Sequence, residues 1–240
     1  TYTGATNIDD GELNVTGTLS DSTAVTVASG ATYDSDTTDT IGSIAGAGNI
    51  EINTATTLTV GGDDSSTTFS GVISEDGNLT KAGSGTLTLS GTNTNTGTTT
   101  ISAGTLTLDQ ASNTTGTVIA NTAAVTVNGG ILNLADTTET IGALTLTSGS
   151  ITGTNKTLTG SSYTLNPGED VSVSVAPILA GSVNLTKSAA GTAILSAANT
   201  YTVTTTISEG TLEVDGTLAQ TAVTVSSGAT YDVDATDTVL

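Results

Sequence analysis

The stretch Leu79 to Leu108, LTKAGSGTLTLSGTNTNTGTTTISAGTLTL, alternates polar and aliphatic residues, breaks at Gly and Asn, and alternates again. Thr86 to Leu89 and Thr105 to Leu108 both read Thr-Leu-Thr-Leu. A period of two puts both leucines of each run on one face of a strand and both threonines on the other. Gly83, Gly85, Gly91, Gly97 and Gly104 bracket these runs and supply turn conformations that other residues rarely adopt. One strand-turn unit of this kind cannot bury its own apolar face. Stacking such units about 4.8 Å apart pairs every strand with one above and one below. The pattern therefore predicts a stacked all-β array.

Degraded copies extend this reading along the chain. Thr1 to Val15 recurs at Thr200 to Val214, and Ala24 to Ile41 recurs at Ala124 to Ile141 and at Ala222 to Val239. These matches predict one continuous segment over 1–240, built from units of about 100 residues that begin near 1, 94 and 200. Each unit has a Gly-x-Leu strand (Leu13 and Val15; Leu106 and Leu108; Leu212 and Val214). A Val-Thr-Val strand follows (Val25 and Val27; Val125 and Val127; Val223 and Val225), then an acidic turn. Ile41-Gly42 and Ile141-Gly142 are read as opening a further strand. The middle unit carries about seven extra residues near Asn113 to Ala120, an insertion that solenoid loops tolerate. Leu87, Leu106, Val125 and Leu144 follow one another at intervals of 19, which predicts a coil of that length with these four stacked. Pro167 and Pro177 mark Ser161 to Ala180 as a loop or edge, because Pro donates nothing to a ladder. Val171, Val173 and Val175 between them read as one strand. No segment keeps a 3.6-residue period, and Thr, Gly and Val are poor helix formers, so no helix longer than a turn or two is expected.

Leu79, Lys81, Gly83, Gly85, Thr86, Leu87, Leu89, Ser90, Gly91, Asn93, Gly97 and Gly104 together resemble the autotransporter-associated β-strand repeat of bacterial passenger domains. Asn95 stands where that family has Tyr. A second copy holds Leu185, Lys187, Gly191, Thr192, Leu195, Asn199, Tyr201, Gly210 and Leu212, with Val203 in place of Gly. A third opens the chain with Tyr2, Gly4, Gly11 and Leu13. The resemblance implies an all-β, right-handed parallel β-helix displayed outside the cell. No capping end is recognisable, so the chain reads as a window on a longer protein, with any export signal or anchor outside it. The implied role is a non-catalytic rod or stalk of a secreted or surface-displayed adhesin, extracellular or on the bacterial cell surface. Its partners would be host or bacterial surfaces, or carbohydrate, met through weak multivalent contacts or through other parts of the parent protein. A self-associating extracellular matrix or filament protein is the alternative, and a β-helix carbohydrate-active enzyme a more distant one.

Composition narrows the chemistry. The chain has 57 Thr but only five Tyr and one Phe, so its core must be aliphatic. There are 23 acidic residues against Lys81, Lys156 and Lys187, with no Arg, and the net charge is −20. This excludes nucleic-acid and anionic-membrane binding, which need a basic patch. No apolar run is long enough to insert into a membrane. Without His, Cys or Arg, neither a Ser-His triad nor an Arg clamp can form. The carboxylate pairs Asp9 with Asp10 and Asp63 with Asp64 lie in Gly- and Ser-rich turns, where they are expected to be solvated. No catalytic or cofactor-binding residue is expected. Asp34, Asp36 and Asp39, and again Asp232, Asp234 and Asp237, place three carboxylates within six residues, a spacing that can hold calcium. Neither run has the Gly pattern of a calcium loop, so both are read as solvated acidic turns with no metal requirement. The pairs Thr86 and Thr88, Thr105 and Thr107, and Thr145 and Thr147 can array on one face, as on ice-binding solenoids, although strand alternation already accounts for them. Tyr2, Tyr201, Tyr33 and Tyr231 recur at matching places, which favours packing at a coil corner. Leu87 is expected to point inward, with no lysine inward nearby.

Overall fold

The computed structural model describes residues 4–109, 117–136, 138–219 and 222–234. Among these residues there is no helix, and every strand pair is parallel. The chain winds into a β-solenoid of about 11 turns, and its strands stack into three ladders. Short runs with Gly or Asn at each end allow about four residues of strand before the backbone must turn.

The first ladder stacks Thr6–Ile8, Ala24–Val27, Ser43–Gly46, Thr67–Phe69, Thr86–Leu89 and Thr105–Leu108. It continues through 131–134 and 150–152 to Ser172–Val175, Thr192–Leu195, Thr211–Val214 and Thr230–Val233. The second ladder stacks Asp39–Ile41, Thr57–Val60, Asn78–Lys81 and Thr99–Ile101, then 125–127 and 143–146. It ends with Ser162–Leu165, Leu185–Lys187, Thr204–Ile207 and Ala222–Val225. The third is broken. Glu12–Val15, Thr32–Ser35, Asn49–Ile52 and Val72–Ser74 form one part, Glu139–Thr140, Thr157–Thr159 and Ile178–Ala180 another, and Ala198–Asn199 with Thr217–Leu218 the last. Where a turn has all three strands it visits the first, third and second ladder in that order; among the described residues the turn from Thr6 has no second-ladder strand, and those from Thr86 and Thr105 have no third-ladder strand. Val125–Leu134 and Ala143–Thr152 are each one continuous strand that bends from the second ladder into the first.

Alternation works as the sequence implies. Leu87, Leu106, Leu132 and Ile151 are register partners in succession, and all are buried. Burying a Leu or Ile of this kind stabilises by about 1.5–3 kcal/mol. Glycine is obligatory where corners stack. Gly61 has φ of 126°, and a Cβ there would lie 1.9 Å from the Ala82 carbonyl oxygen of the next coil.

Four expectations need correction. The interval of 19 holds for Leu87 with Leu106 and for Val125 with Leu144, but these pairs lie on different ladders. Leu106 pairs with Leu132 instead of Val125, because the middle coil is longer. Of the extra residues, those at 110–116 lie outside the described residues, while Val118 and Ile119 are buried. Second, Ile41 closes a strand, and Gly42 turns the corner into Ser43–Gly46. Third, of the loop or edge expected at the two prolines, the loop is present but the edge is not. Ser162–Leu165 and Ser172–Val175 both pair on two sides, with Pro167 and Pro177 in the corners between strands. Fourth, Lys81 and Lys187 point inward, at 1% and 0% exposure.

Equivalent sequences also occupy different ladders. Val25 and Val27 belong to the first ladder, whereas Val125 with Val127 and Val223 with Val225 belong to the second. A four-residue alternating strand suits any face, so coil length alone decides where it lands.

The outward side of the second ladder carries one uniform row. Thr40, Thr59, Thr80, Thr100 and Thr126 are register partners in turn. Thr145, Thr164, Thr186, Thr206 and Thr224 continue the row without a gap.

Candidate functional site

Two groups of polar side chains stand out, a buried set that bonds the backbone and a largely exposed acidic set. The buried set sits where neighbouring coils cannot complete a ladder, so that backbone N–H groups would otherwise lack partners. Asn93 Oδ1 accepts the Ile73 N–H at 2.8 Å, and its Nδ2 donates to the Val118 carbonyl at 2.7 Å, bridging three coils. Asn199 Oδ1 accepts the Leu179 N–H at 2.9 Å. Glu139, wholly buried, accepts the N–H groups of Val118 at 3.1 Å and Ile119 at 2.7 Å. Asp39 Oδ2 accepts the Leu19 N–H at 2.9 Å, and Oδ1 its neighbour Thr40 N–H.

Lys81 and Lys187 make the converse contacts. Lys81 Nζ donates to the carbonyls of Ala82, Gly83 and Ala103. Lys187 Nζ donates to those of Ser188, Ala189 and Glu209, at 3.3, 2.7 and 3.0 Å. Each ammonium thus ties a corner to the coil above. Burial lowers both pKa values from the ordinary lysine value, opposed by Asp64 at Lys81 and Glu209 at Lys187. The parity of Leu79-Thr80-Lys81 and Leu185-Thr186-Lys187 already placed each lysine on the leucine side. That signal is outweighed, in a plain reading, by the expectation that lysine faces water.

Some of the acidic residues gather into two clusters at or near the surface, with Asp34 of the first itself buried. Asn14, Asp34 and Glu51 are register neighbours on the third ladder. Asn14 Nδ2 donates to Asp34 and Asp36 at 2.7 and 2.9 Å, and Asn53 Nδ2 to the same pair at 2.7 and 2.6 Å. Burial, then Asp34, Glu75 and Glu12, raise the Glu51 pKa. Of the three residues proposed from sequence as calcium ligands here, Asp34 and Asp36 come together, while the Asp39 carboxylate is turned to the backbone and buried. In the other copy Asp232 sits beside Glu213 in register. Asp234 joins Glu213 and Asp215, with carboxylate oxygens within 4.8 Å of one another. Asp237 lies outside the described residues. Glu213, whose pKa is raised by burial and then by Asp215, Asp232 and Asp234, was not singled out from sequence. The repeat offset signals it, since Asn14 and Glu213 hold matching positions.

The carboxylate pairs considered for catalysis serve turns. Asp63 accepts from the Ser43 hydroxyl at 2.8 Å and the Ser65 N–H at 2.9 Å, and Asp64 from the Ser84 N–H at 2.6 Å, which lowers its pKa. Asp10 accepts from the Gly11 N–H. A depression of about 270 Å³ at the corner near Asn155, Ile178 and Ala197 is lined by no acid, base or nucleophile beyond Thr and Ser hydroxyls.

The buried pair of each copy, Lys81 with Asn93 and Lys187 with Asn199, has the same spacing and the same backbone duty. Three segments match the passenger-associated-transport-repeat, at residues 1–15, 79–108 and 185–214. In the second and third of these passenger repeats the inward lysine and the buried asparagine are the internal ties just described. Tyr2, in the first, lies outside the described residues. Tyr201, in the third, is buried, with its hydroxyl 2.8 Å from Thr205 Oγ1 and its ring edge-on to Tyr163 at 6.1 Å. Neither a curated protein nor a solved structure matches the chain.

Proposed function

We propose that the chain is a structural rod segment of a secreted or surface-displayed bacterial adhesin, and that it performs no catalysis. The observation that carries this reading is the use of the buried polar groups. Asp39, Asn93, Glu139, Asn199, Lys81 and Lys187 all bond backbone of their own or a neighbouring coil, which serves continuity of a stack. Among the described residues, the Asp63 and Asp64 carboxylates are taken up by turn N–H and hydroxyl groups, and Asp34 and Asp36 by the amides of Asn14 and Asn53. Match to a passenger repeat supports an extracellular setting. Contacts with a host or bacterial surface would come from other parts of the parent protein or from weak multivalent binding along the rod.

Small-angle scattering over a concentration series tests this, together with an assay for reducing ends released from a panel of polysaccharides. Eleven coils at about 4.8 Å each give a rod roughly 50 Å long, a length that stays fixed on concentration. Growth along the axis would point to a filament protein instead, and released reducing ends to an enzyme.

A further inference from the structure

We infer that Asn128 is a self-modifying site, at which the side-chain amide cyclises onto the Gly129 nitrogen and hydrolyses to aspartate and isoaspartate. This goes beyond the rod reading and does not depend on it. Asn128-Gly129 is the one Asn-Gly step in the chain. It falls where Val125–Leu134 bends from the second ladder into the first. On the following coil Val127 pairs with Leu146 and Asn128 with Ser148, the register shifts on either side of Asn128, and Gly129 and Gly130 have no register partner. On the preceding coil the pairing stops at Val127 and resumes at Ile131. The backbone at this step is thus held less closely than in the rest of the strand.

Three further features favour ring closure. Asn128 and Gly129 are both exposed, so water reaches the ring and ammonia can leave. Gly129 has φ of 122° and no Cβ to crowd its nitrogen as it attacks. The Asn128 Oδ1 atom accepts the Thr147 hydroxyl at 2.8 Å and the Ser148 hydroxyl at 3.3 Å, both from the next coil. The other acceptor near Thr147 Oγ1, the Val127 carbonyl, is farther away at 3.3 Å. Attack on Cγ turns Oδ1 into an oxyanion, and donors already aimed at that atom stabilise the developing charge. Asn133 shows which part is missing elsewhere. Its Oδ1 likewise accepts a hydroxyl, from Thr152 at 3.0 Å, but the residue after it is Leu134, which is buried and paired with Leu108.

In the reaction the Gly129 nitrogen bonds to Asn128 Cγ and the Cγ–Nδ2 bond breaks. Ammonia leaves with the proton that the Gly129 amide gives up. Water then opens the succinimide at either carbonyl. One opening restores the ordinary backbone with an aspartate side chain, and the other routes the backbone through the side chain as isoaspartate. One water is consumed and one ammonia released, with no oxidant or reductant. The aspartate product adds a negative charge and keeps both hydroxyl contacts as charge-assisted bonds. The isoaspartate product adds a methylene to the backbone at the bend, between the buried Val127 and Leu132, and loosens the crossing between ladders.

The test incubates the purified chain at mildly alkaline pH, folded and separately unfolded in urea, until the unfolded chain has converted. Peptide mass spectrometry follows each asparagine, and enzymatic methylation counts isoaspartate. The folded chain is expected to convert at Asn128 faster than at any other asparagine, with Asn133 still an amide. Thr147→Val combined with Ser148→Ala should slow the conversion several-fold, whereas Thr152→Val should leave it unchanged. Far-UV circular dichroism confirms that each variant is folded, and Thr147→Val alone gives the comparison if the double variant is not. Retention of the Asn128 amide in the folded chain once the urea-unfolded chain has converted would overturn the inference. So would equal conversion rates in the wild-type chain and the folded hydroxyl-free variant.

Discussion

The Glu139 carboxylate accepts the backbone N–H of Ile119 at 2.7 Å, from twenty residues further along the chain. It lies inside the solenoid and also holds the Val118 N–H. Asp39, Asn93 and Asn199 repeat this relation with Leu19, Ile73 and Leu179. A stack of coils with unequal lengths leaves gaps in its ladders, and a side-chain oxygen from the next coil closes them.

Glu139→Ala leaves two buried N–H groups without this acceptor, at a cost of about 1–3 kcal/mol each. Glu139→Gln keeps one oxygen and should cost less. Damage in a repeat array stays local, so hydrogen exchange at Val118 and Ile119 is the readout. Faster exchange in the alanine variant than in the glutamine variant is expected there, with little change at Leu87. Equal protection in both variants would remove this role.

Leu87→Asp puts a carboxylate into the column of Leu106 and Leu132, where an unpaired charge costs several kcal/mol. The nearby Lys81 ammonium is already held by three carbonyls. Thr88→Asp, on the outward side of the same strand, should change stability by about 0.5 kcal/mol or less. Limited proteolysis near residue 87 should cut the first variant and spare the second.

Lys187→Met strands the Ala189 and Glu209 carbonyls, and a loss of about 1–3 kcal/mol is expected. Lys156→Met serves as the control. Its ammonium is 3.7 Å from Asp136 on the surface, a kind of pair worth about 0–1 kcal/mol. Similar melting curves for the two variants would mean that the internal lysine contributes no more than the surface one.

Glu51 gives the pH dependence a sign opposite to the usual carboxylate. Its pKa is raised in the folded chain, by burial first and then by Asp34, Glu75 and Glu12. Its contribution to stability is therefore full below the unfolded glutamate value and is lost as pH rises through the folded one. Glu51→Gln should melt slightly above wild type at pH 7, and the gap should close near about pH 4. A gap that widens on acidification would reverse the assignment.

Much of this architecture was legible from alternation and glycine spacing. Thr86 to Leu89 and Thr105 to Leu108 declare their faces, and they pair as written. Stacking was legible only where coils keep one length. The longer coil before Leu132 shifts Val125 to another ladder, and no local pattern announces that shift. Lys81, Asp39 and Glu139 were hidden for a different reason. Charged residues usually face water, whereas here backbone groups inside the stack satisfy them. The acidic clusters were half legible. Asp34 and Asp36 are neighbours in sequence, but Asn14 and Asn53 reach them only through coil stacking.

The register around the longer coil tests the account most directly, and the absence of cysteine makes it measurable. Thr107 and Asn133 are register partners on the outward side of the first ladder, while Thr126, nineteen residues from Thr107, lies on the second. Adjacent strands lie about 4.8 Å apart, within the Cα separation of about 4.4–6.8 Å that a disulfide spans. Mass spectrometry after mild oxidation is predicted to find an internal disulfide in Thr107→Cys with Asn133→Cys and none in Thr107→Cys with Thr126→Cys. A disulfide in the second pair and not in the first would contradict the three-ladder solenoid.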